Sequence, residues 1–246
     1  MAIENKQKIS QASPVAKSPR ITAVIPAKNE EKNLPFVLPK IPPMVDELIL
    51  VDGLSRDRTN ELAKELRPDI RIIKQTGKGK GNALRCGFQN AAGDFIVMID
   101  ADGSMDPEEI PGFIEPLLHG YDVVKGSRFL PGGGTSDMEN HRRFGNKMFL
   151  FLVNLLFKSK YSDLCYGYMA FKKEALQKID LQSDGFEIET EFNVKVLKAG
   201  LKVTEVPSFE KKRLNGSGSL RCWQDGRRII GTIFKLRFSR SPVPGN

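Results

Sequence analysis

The sequence predicts an α/β fold in which a mostly parallel β-sheet carries helices on both faces. Strand, loop and helix alternate four times before Asp102, which is typical of parallel sheets covered by their crossover helices. The run that follows Asp94 is apolar at successive positions, as in strands buried on both sides. With 246 residues, the chain can form one large domain of this class or two small ones.

Local patterns predict the order of the elements. Runs rich in β-branched residues mark strands, and apolar residues that recur every three or four positions mark helices. Residues 1–19 are polar without periodicity, so we expect a disordered tail. The predicted strands are residues 20–25, 47–51, 70–74, 95–99, 122–128 and 203–207, the last continuing over 209–213. The predicted helices are residues 57–66, 83–88, 106–117, 140–157 and 185–199, followed by a basic amphipathic segment over 214–246.

The formal charge of +8 predicts an anionic partner or surface. No RNP, KH or zinc-finger pattern supports nucleic acid, which leaves nucleotide phosphates and anionic lipid headgroups. Residues 148–157 form the longest uncharged apolar run, too short to span a bilayer. Three cysteines without a CxxC pair, and no secretory signal, predict reduced thiols and a cytoplasmic protein.

Asp100 and Asp102 follow the apolar strand at residues 95–99. Residues two apart in an extended backbone point the same way, so both carboxylates can project from one strand end. Two such oxygen ligands suit Mg²⁺ or Mn²⁺, with water and substrate phosphate completing the shell. A plain Asp-Gly turn is the alternative interpretation.

Polar residues also follow the neighbouring strands. Residues 26–31 come after the first strand, and Asp52 after the second. Parallel α/β sheets bind ligands outside the carboxyl ends of their strands, although an ordinary loop remains an alternative for residues 26–31. The glycine-lysine loop with Lys78 and Lys80 matches neither nucleotide-binding glycine motif. Its helix-start amides and lysines can still contact an anion, or the loop is a simple connection.

Several of these segments together resemble family 2 glycosyltransferases of the GT-A fold, a three-layer sandwich. They are Pro26-Ala-Lys-Asn29-Glu30, Val51-Asp52-Gly-Leu-Ser55-Arg-Asp57-Arg-Thr59, Gly79-Lys80-Gly81-Asn-Ala83 and Gly93-Asp94 with Asp100-Ala101-Asp102. The chain departs from the family pattern at Leu54, which shifts the later Asp and Thr but leaves Asp52 in place. The resemblance covers about residues 20–236, with the catalytic domain over 20–213.

The resemblance implies which residues bind a nucleotide sugar. The first loop and Asp52 would hold the base and ribose, Asp102 would ligate Mg²⁺ or Mn²⁺, and Asp100 would contact the metal or ribose. The residues expected to contact the donor are Pro26, Ala27, Asn29, Glu30, Asp52, Lys78, Lys80, Asp100 and Ala101.

Later segments resemble the dolichol- and polyprenyl-phosphate sugar transferases and imply residues at the acceptor side. Arg128 ends a Gly-Ser-Arg stretch, and Asp163 opens an Asp-x-x-x-Gly-Tyr-x-Ala-Phe stretch. Arg213 opens a run that resembles the family's Arg-x-x-Gly-x-Ser-Lys-Leu but departs from it at Gly218 and Ser219, so that the lysine is absent. Arg213 could brace a phosphate, and Glu191 could act as a base, with Glu189 as second choice. The alternatives are a surface Arg128, a helix N-cap for Asp163 and helix-dipole stabilisation of the glutamates.

These expectations together describe an inverting, metal-dependent glycosyltransferase. Its donor would be a nucleotide diphosphate sugar of the GDP-mannose or UDP-glucose type, and its acceptor polyprenyl phosphate at the cytoplasmic membrane face. A hydroxyl acceptor and a nucleotide-binding module without turnover are the alternatives. The basic-flanked apolar helix at 140–157 and the C-terminal segment could each pack on the core or lie on a membrane surface, and an integral-membrane partner could supply an anchor.

Overall fold

The computed structural model describes residues 18–216 and 222–239. Almost all of the predicted tail over 1–19 lies outside these ranges, as do Arg221 and Arg240 of the basic C-terminal segment. The described part of the chain contains a seven-stranded sheet and a separate two-stranded one.

The seven-stranded sheet has the order β3-β2-β1-β4-β7-β5-β8. Apolar and β-branched runs form these strands, as the sequence predicts. Their bounds are β1 Ile21–Ala27, β2 Glu47–Asp52, β3 Arg71–Lys74, β4 Phe95–Met98, β5 Val123–Ser127, β7 Met169–Lys172 and β8 Val203–Pro207.

All neighbouring pairs in this sheet are parallel except those made by β7, which is antiparallel to both β4 and β5. The sheet is therefore mostly parallel, which confirms the predicted fold class. Strand β7 is not among the strands that the sequence predicts. It lies between strands whose carboxyl ends point the opposite way, so it brings its own amino end to the edge where β4 ends.

Helices cover both faces of the sheet. They are α1 Leu34–Val37, α2 Thr59–Leu66, α3 Lys80–Asn90, α4 Ile110–Leu118, α5 Asn140–Phe157, α6 Lys173–Gln177, α7 Ile188–Lys198 and α8 Cys222–Phe238. Alternate residues of β1 separate into two clusters: Ile25 packs with α1 and α4 residues, whereas Val24 packs with α3 and α7 residues. This is the three-layer arrangement expected when strands are apolar on both faces.

A third apolar cluster joins α5, α7 and α8. Phe149 and Val153 of α5 pack with Val194 of α7 and with Ile229 and Ile233 of α8. None of the helices in the described ranges is long and apolar enough to cross a membrane.

The region after β8 differs from the prediction. Residues 209–213 were expected to continue β8, but β8 ends at Pro207 and β9, Phe209–Glu210, pairs with β6, Gly134–Thr135. The Gly134 amide donates to the Ser208 carbonyl. This small sheet turns the chain away from β8 and directs Arg213 toward the acidic pair.

Candidate functional site

Three strands of the large sheet bring polar residues to one edge. In the register of β1 and β2, Ala27 faces Asp52, so the first loop and this carboxylate lie side by side. Asp100 and Asp102 follow β4, which is hydrogen-bonded to the other side of β1. The structure thus brings together the strand ends that the sequence placed at a common edge.

Asp100 is held by Lys80. The Lys80 Nζ lies 2.7 Å from Asp100 Oδ2 and 2.9 Å from Glu189 Oε1. Burial alone would lower the pKa of Lys80, but the two carboxylates raise it above its ordinary value. Burial raises the pKa of Asp100; the Lys80 charge opposes this increase, while Asp102 and Glu189 add to it. The single positive charge of Lys80 is therefore shared by the carboxylates of Asp100 and Glu189, so this group has a net negative charge.

Asp102 is paired with Arg213 from the far end of the domain. The Arg213 Nε lies 2.9 Å from Asp102 Oδ2, and its N–H is not aligned for a hydrogen bond, so the contact is an ion pair. Oδ1 of Asp102 accepts hydrogen bonds from the backbone N–H and the hydroxyl of Ser104. These bonds fix the Asp102 carboxylate against the turn that follows β4. The segment is therefore both the Asp-Gly turn of the alternative interpretation and the holder of an oriented carboxylate.

Glu30 belongs to the same acidic group. Burial raises its pKa; the hydrogen bond from Asn33 offsets this partly, while the nearby charges of Asp102 and Asp100 add to the increase. Glu30 therefore lies within electrostatic reach of Asp100 and Asp102.

The first loop and Asp52 are locked together. Oδ1 of Asp52 accepts from the Ser55 amide at 2.9 Å, and the Asn29 amide donates to the Ser55 hydroxyl at 3.0 Å. Burial opposes ionisation of Asp52, but its bonds from Ser55 hold its pKa below the ordinary value. The inserted Leu54 takes a left-handed conformation, φ +63°, which allows the longer loop to keep Asp52 in place.

Three of the remaining residues predicted to contact the donor, Pro26, Ala27 and Ala101, lie at the same strand ends. Pro26 and Ala27 close β1, and Ala101 is buried between the two aspartates. The side chain of Lys78 is exposed in the loop before α3.

The predicted anion contact at the start of α3 is wrong in one respect. The amides of Gly81 and Asn82 donate to the carbonyl of Asp184, so these helix-start donors are already occupied by the protein. A Cβ at Gly79 would overlap the Asp184 carbonyl, and one at Gly81 the Ser183 carbonyl. The glycines serve this close backbone contact.

Glu191 lies apart from the acidic group. Its oxygens accept from the amides of Gln182 and Ser183, and Oε1 is 2.7 Å from Lys195 Nζ. Although burial works the other way, these contacts hold its pKa below the ordinary value. The structure therefore disfavours Glu191 as a base, and Glu189, which points to Lys80, is the glutamate of α7 at the site.

Arg128 and Asp163 pair with each other rather than with the acidic edge. Arg128 Nε and Nη2 donate to the two oxygens of Asp163 at 2.7 and 2.9 Å, and Nη1 donates to Glu210 Oε2 at 3.0 Å. Both side chains are at most 1% exposed, and Asn146 of α5 also donates to Asp163. This buried group ties β5, α5 and β9 together, so it positions the chain before Arg213 and is closed to substrate in this structure.

Asp137 is a further acidic residue near this edge that the sequence does not indicate. Its Oδ2 is 3.8 Å from Arg213 Nε and 3.4 Å from Arg142 Nη1, so it is a second acidic neighbour of Arg213. Asp137 follows a glycine-rich connection with no periodic pattern, and no sequence signal marks it.

The acidic edge fits a divalent cation. Asp100, Asp102 and Glu189 contact two cations, Lys80 and Arg213. With Glu30 in electrostatic reach, the edge has a formal excess of two negative charges. Within the described residues no group of three or more His, Cys, Asp or Glu converges to hold a metal alone. Mg²⁺ and similar ions commonly use one or two carboxylates and complete their shell with substrate phosphate, so the aspartates suit a site that the substrate completes.

The mostly parallel seven-stranded sheet with helices on both faces matches the GT-A fold of glycosyltransferases. A structure of glucosyl-3-phosphoglycerate synthase from Mycobacterium tuberculosis in complex with Mn²⁺, UDP and glucosyl-3-phosphoglycerate superposes with a TM-score of 0.70 over 92% of this chain and 82% of that chain. The sequence identity is 22%, so this likeness shows the fold.

The chain belongs to glycosyl transferase family 2, whose family model matches residues 22–180. It is 33% identical to the glycosyltransferase AglJ of Haloferax volcanii over 80% of this chain and 64% of that protein. Against a dolichol-phosphate mannosyltransferase of Pyrococcus furiosus the identity is 32%, over 82% of this chain and 59% of that protein. The chain therefore spans less than two thirds of the length of these two relatives.

A third relative is covered more fully. The polyprenol monophosphomannose synthase of Mycolicibacterium smegmatis is 32% identical over 88% of this chain and 85% of that protein. These matches confirm the resemblance that the motifs indicated.

Proposed function

We propose that this chain transfers a hexose from a nucleoside diphosphate sugar to polyprenyl phosphate at a membrane surface, with inversion at the sugar carbon and a divalent cation. The observation that carries the proposal is the pairing of Asp100 and Asp102 with Lys80 and Arg213 at the sheet edge. The names of two relatives, a dolichol-phosphate mannosyltransferase and a polyprenol monophosphomannose synthase, support the acceptor. The neighbour crystallised with Mn²⁺ and UDP supports the donor chemistry.

Asp100 and Asp102 would hold Mg²⁺ or Mn²⁺, which as a Lewis acid neutralises charge on the departing diphosphate. Asp52, fixed by Ser55, binds the ribose and base side of the donor together with Asn29. Lys80 keeps Asp100 oriented and supplies a positive charge near the diphosphate. These residues act by orientation and charge, which are the main protein contributions to such transfers.

Arg213 would exchange its contact with Asp102 for the acceptor phosphate. Its planar guanidinium can hold a phosphate through two N–H groups. A phosphate oxygen then attacks the sugar carbon, the carbon–oxygen bond to the diphosphate breaks, and the electron pair leaves with the nucleoside diphosphate. The acceptor is already ionised, so no proton needs to be removed.

A hydroxyl acceptor would need a general base, and the two glutamates that the sequence offers for this role do not support it. Glu191 has a lowered pKa and is bound by two amides and Lys195, and Glu189 is engaged by Lys80. Neither glutamate is poised to take a proton from a sugar or protein hydroxyl.

The test is a transfer assay with the purified chain. Radiolabelled GDP-mannose and UDP-glucose are each incubated with Mn²⁺ and a short-chain polyprenyl phosphate in detergent. We expect label in a chloroform-soluble product that mild acid releases, at a rate that Asp102→Asn lowers at least a hundredfold. Exposed Asp69→Asn is the control and keeps the parent rate. The absence of chloroform-soluble label with both donors, or an unaffected rate in Asp102→Asn, would contradict the proposal.

A further inference from the structure

Helix α5 has two apolar faces, of which one is buried. Phe149 and Val153 pack toward α7 and α8. Facing away from them, four large apolar side chains recur at spacings of four, three and four residues and therefore line one side of the helix. We call them the α5 stripe: Phe144, Met148, Phe151 and Leu155, which are 71%, 38%, 65% and 62% exposed.

A row of exposed apolar side chains of this kind marks an interaction surface. The charges around the α5 stripe indicate its partner. Residues 140–160 include no Asp or Glu and carry exposed Arg143, Lys147, Lys158 and Lys160, whereas Arg142 is half-buried and pairs with Asp137. The neighbouring helix α8 adds exposed Arg227, Arg228, Lys235 and Arg237, and its one acidic residue, Asp225, is buried.

The positive charge around the α5 stripe favours one binding partner, an anionic lipid surface, over a second copy of this chain. Two copies of this chain joined through the α5 stripe would bring like charges together, which is unfavourable. An anionic lipid surface complements them, because each cation near such a surface adds about 1 kcal/mol of attraction. Exposed aromatic residues with flanking cations are also what a helix lying in the membrane interface requires.

The position of α5 relative to the acidic edge supports the same partner. Arg142, in the first turn of α5, contacts Asp137, and Asp137 lies near Arg213, which contacts Asp102. The α5 stripe begins at Phe144, two residues after Arg142. Phe144 and Arg142 lie on different sides of α5, but a lipid surface on the stripe would still reach the end of the helix that lies nearest to Arg213.

We propose that the α5 stripe docks this chain on an anionic membrane, with its four apolar side chains in the interface and the surrounding lysines and arginines on lipid headgroups. The choice of a lipid rests in part on the proposed function, since a lipid-borne acceptor must reach Arg213. The docking surface itself rests on the exposure and charge of α5 and α8.

The test is co-sedimentation with vesicles of phosphatidylcholine alone and of phosphatidylcholine with phosphatidylglycerol. We expect binding to the anionic vesicles that falls about tenfold or more in Phe151→Ser and in Leu155→Ser, since each removes a large inserted side chain. Lys147→Gln should lower it about fivefold, the loss of one attracted charge. Leu118→Ser and Lys178→Gln are the controls. Leu118 is 59% exposed on α4, away from the α5 stripe, and neither substitution should change vesicle binding.

A second measurement separates this proposal from the proposed function. In detergent with a short-chain polyprenyl phosphate, Phe151→Ser and Leu155→Ser should transfer sugar at the parent rate, because they lie outside the acidic edge. If the parent chain transfers no sugar at all but the vesicle results hold, only the proposed function fails. Vesicle binding that the variants leave unchanged overturns the docking surface. A parent dimer in sedimentation velocity that Leu155→Ser converts to a monomer also overturns it, in favour of a second copy.

Discussion

The two aspartates that follow β4 are each neutralised by a cation from a distant part of the chain. Lys80 comes from the start of α3 and Arg213 from the segment after β9. Removing one partner of a largely buried ion pair leaves an uncompensated charge, which is far more costly than the pair itself was worth.

Lys80→Met should therefore lower the free energy of unfolding by about 3 kcal/mol, because Asp100 and Glu189 lose their shared counterion. Lys78→Met, two residues earlier and exposed, is the matched control and should change it by about 0.5 kcal/mol or less. Urea unfolding followed by far-UV circular dichroism measures both. Equal effects of the two substitutions would show that the Lys80 contacts do not stabilise the fold.

Glu191 makes a prediction about pH. Its pKa is lowered in the folded protein from an ordinary value of 4.5, so its stabilising contribution is complete above pH 4.5 and is lost as pH falls below that value toward the folded-state pKa. The parent chain should thus exceed Glu191→Gln in stability at pH 7, and the gap should narrow below pH 4.5. Thermal melts across this range test it, with exposed Glu174→Gln as the control; a gap that stays constant in acid would refute the assignment.

Residue roles at the site were only partly predictable from sequence. Asp52, Asp100 and Asp102 could be located because each follows an apolar strand. Glu189 and Glu191 are two positions apart on one helix, so they point to different sides. Which of them reaches Lys80 depends on the face of α7 that packs on the sheet, and that face is decided by tertiary contacts.

At the scale of elements, the start of α3 makes a sharp prediction. Gly81→Ala should destabilise the protein by about 1 to 3 kcal/mol, because its Cβ would overlap the Ser183 carbonyl and break the close contact of α3 with the segment before α7. Gly112→Ala in α4 is the matched control; an added Cβ meets nothing within 4 Å there, so it should stabilise by about 0.5 to 1 kcal/mol. Chemical denaturation measures both, and a neutral Gly81→Ala would contradict the contact.

The elements show why part of the topology escaped prediction. Runs such as β1 and β4 are largely apolar and pair with each other in parallel, so pattern alone identifies them. The four-residue β7 is antiparallel and enters the sheet between β4 and β5, a position that depends on long-range pairing. For the same reason β9 pairs with β6 rather than continuing β8, since a two-residue strand carries almost no local signal.

At the scale of the molecule, segments that are distant in sequence meet at the acidic edge, where negative charge is in excess. The acidic edge draws on β1, β4, α7 and the segment after β9, and it holds more carboxylates than cations. A nucleoside diphosphate alone would add negative charge to this edge. Binding of the nucleotide and binding of a divalent cation should therefore support each other.

We expect UDP or GDP to raise the melting temperature strongly only when Mn²⁺ is present. A ligand at 100 times its dissociation constant stabilises by about 2.7 kcal/mol, which for a chain of this size is a shift of about 5 to 10 °C. Asp102→Asn should lose the increment that Mn²⁺ provides, whereas exposed Asp69→Asn should retain it. Differential scanning fluorimetry with each ligand alone and with both measures the coupling. If the nucleotide raised the melting temperature equally with and without Mn²⁺, the cation would contribute nothing to holding the diphosphate. Asp100 and Asp102 would then act only through their contacts with Lys80 and Arg213.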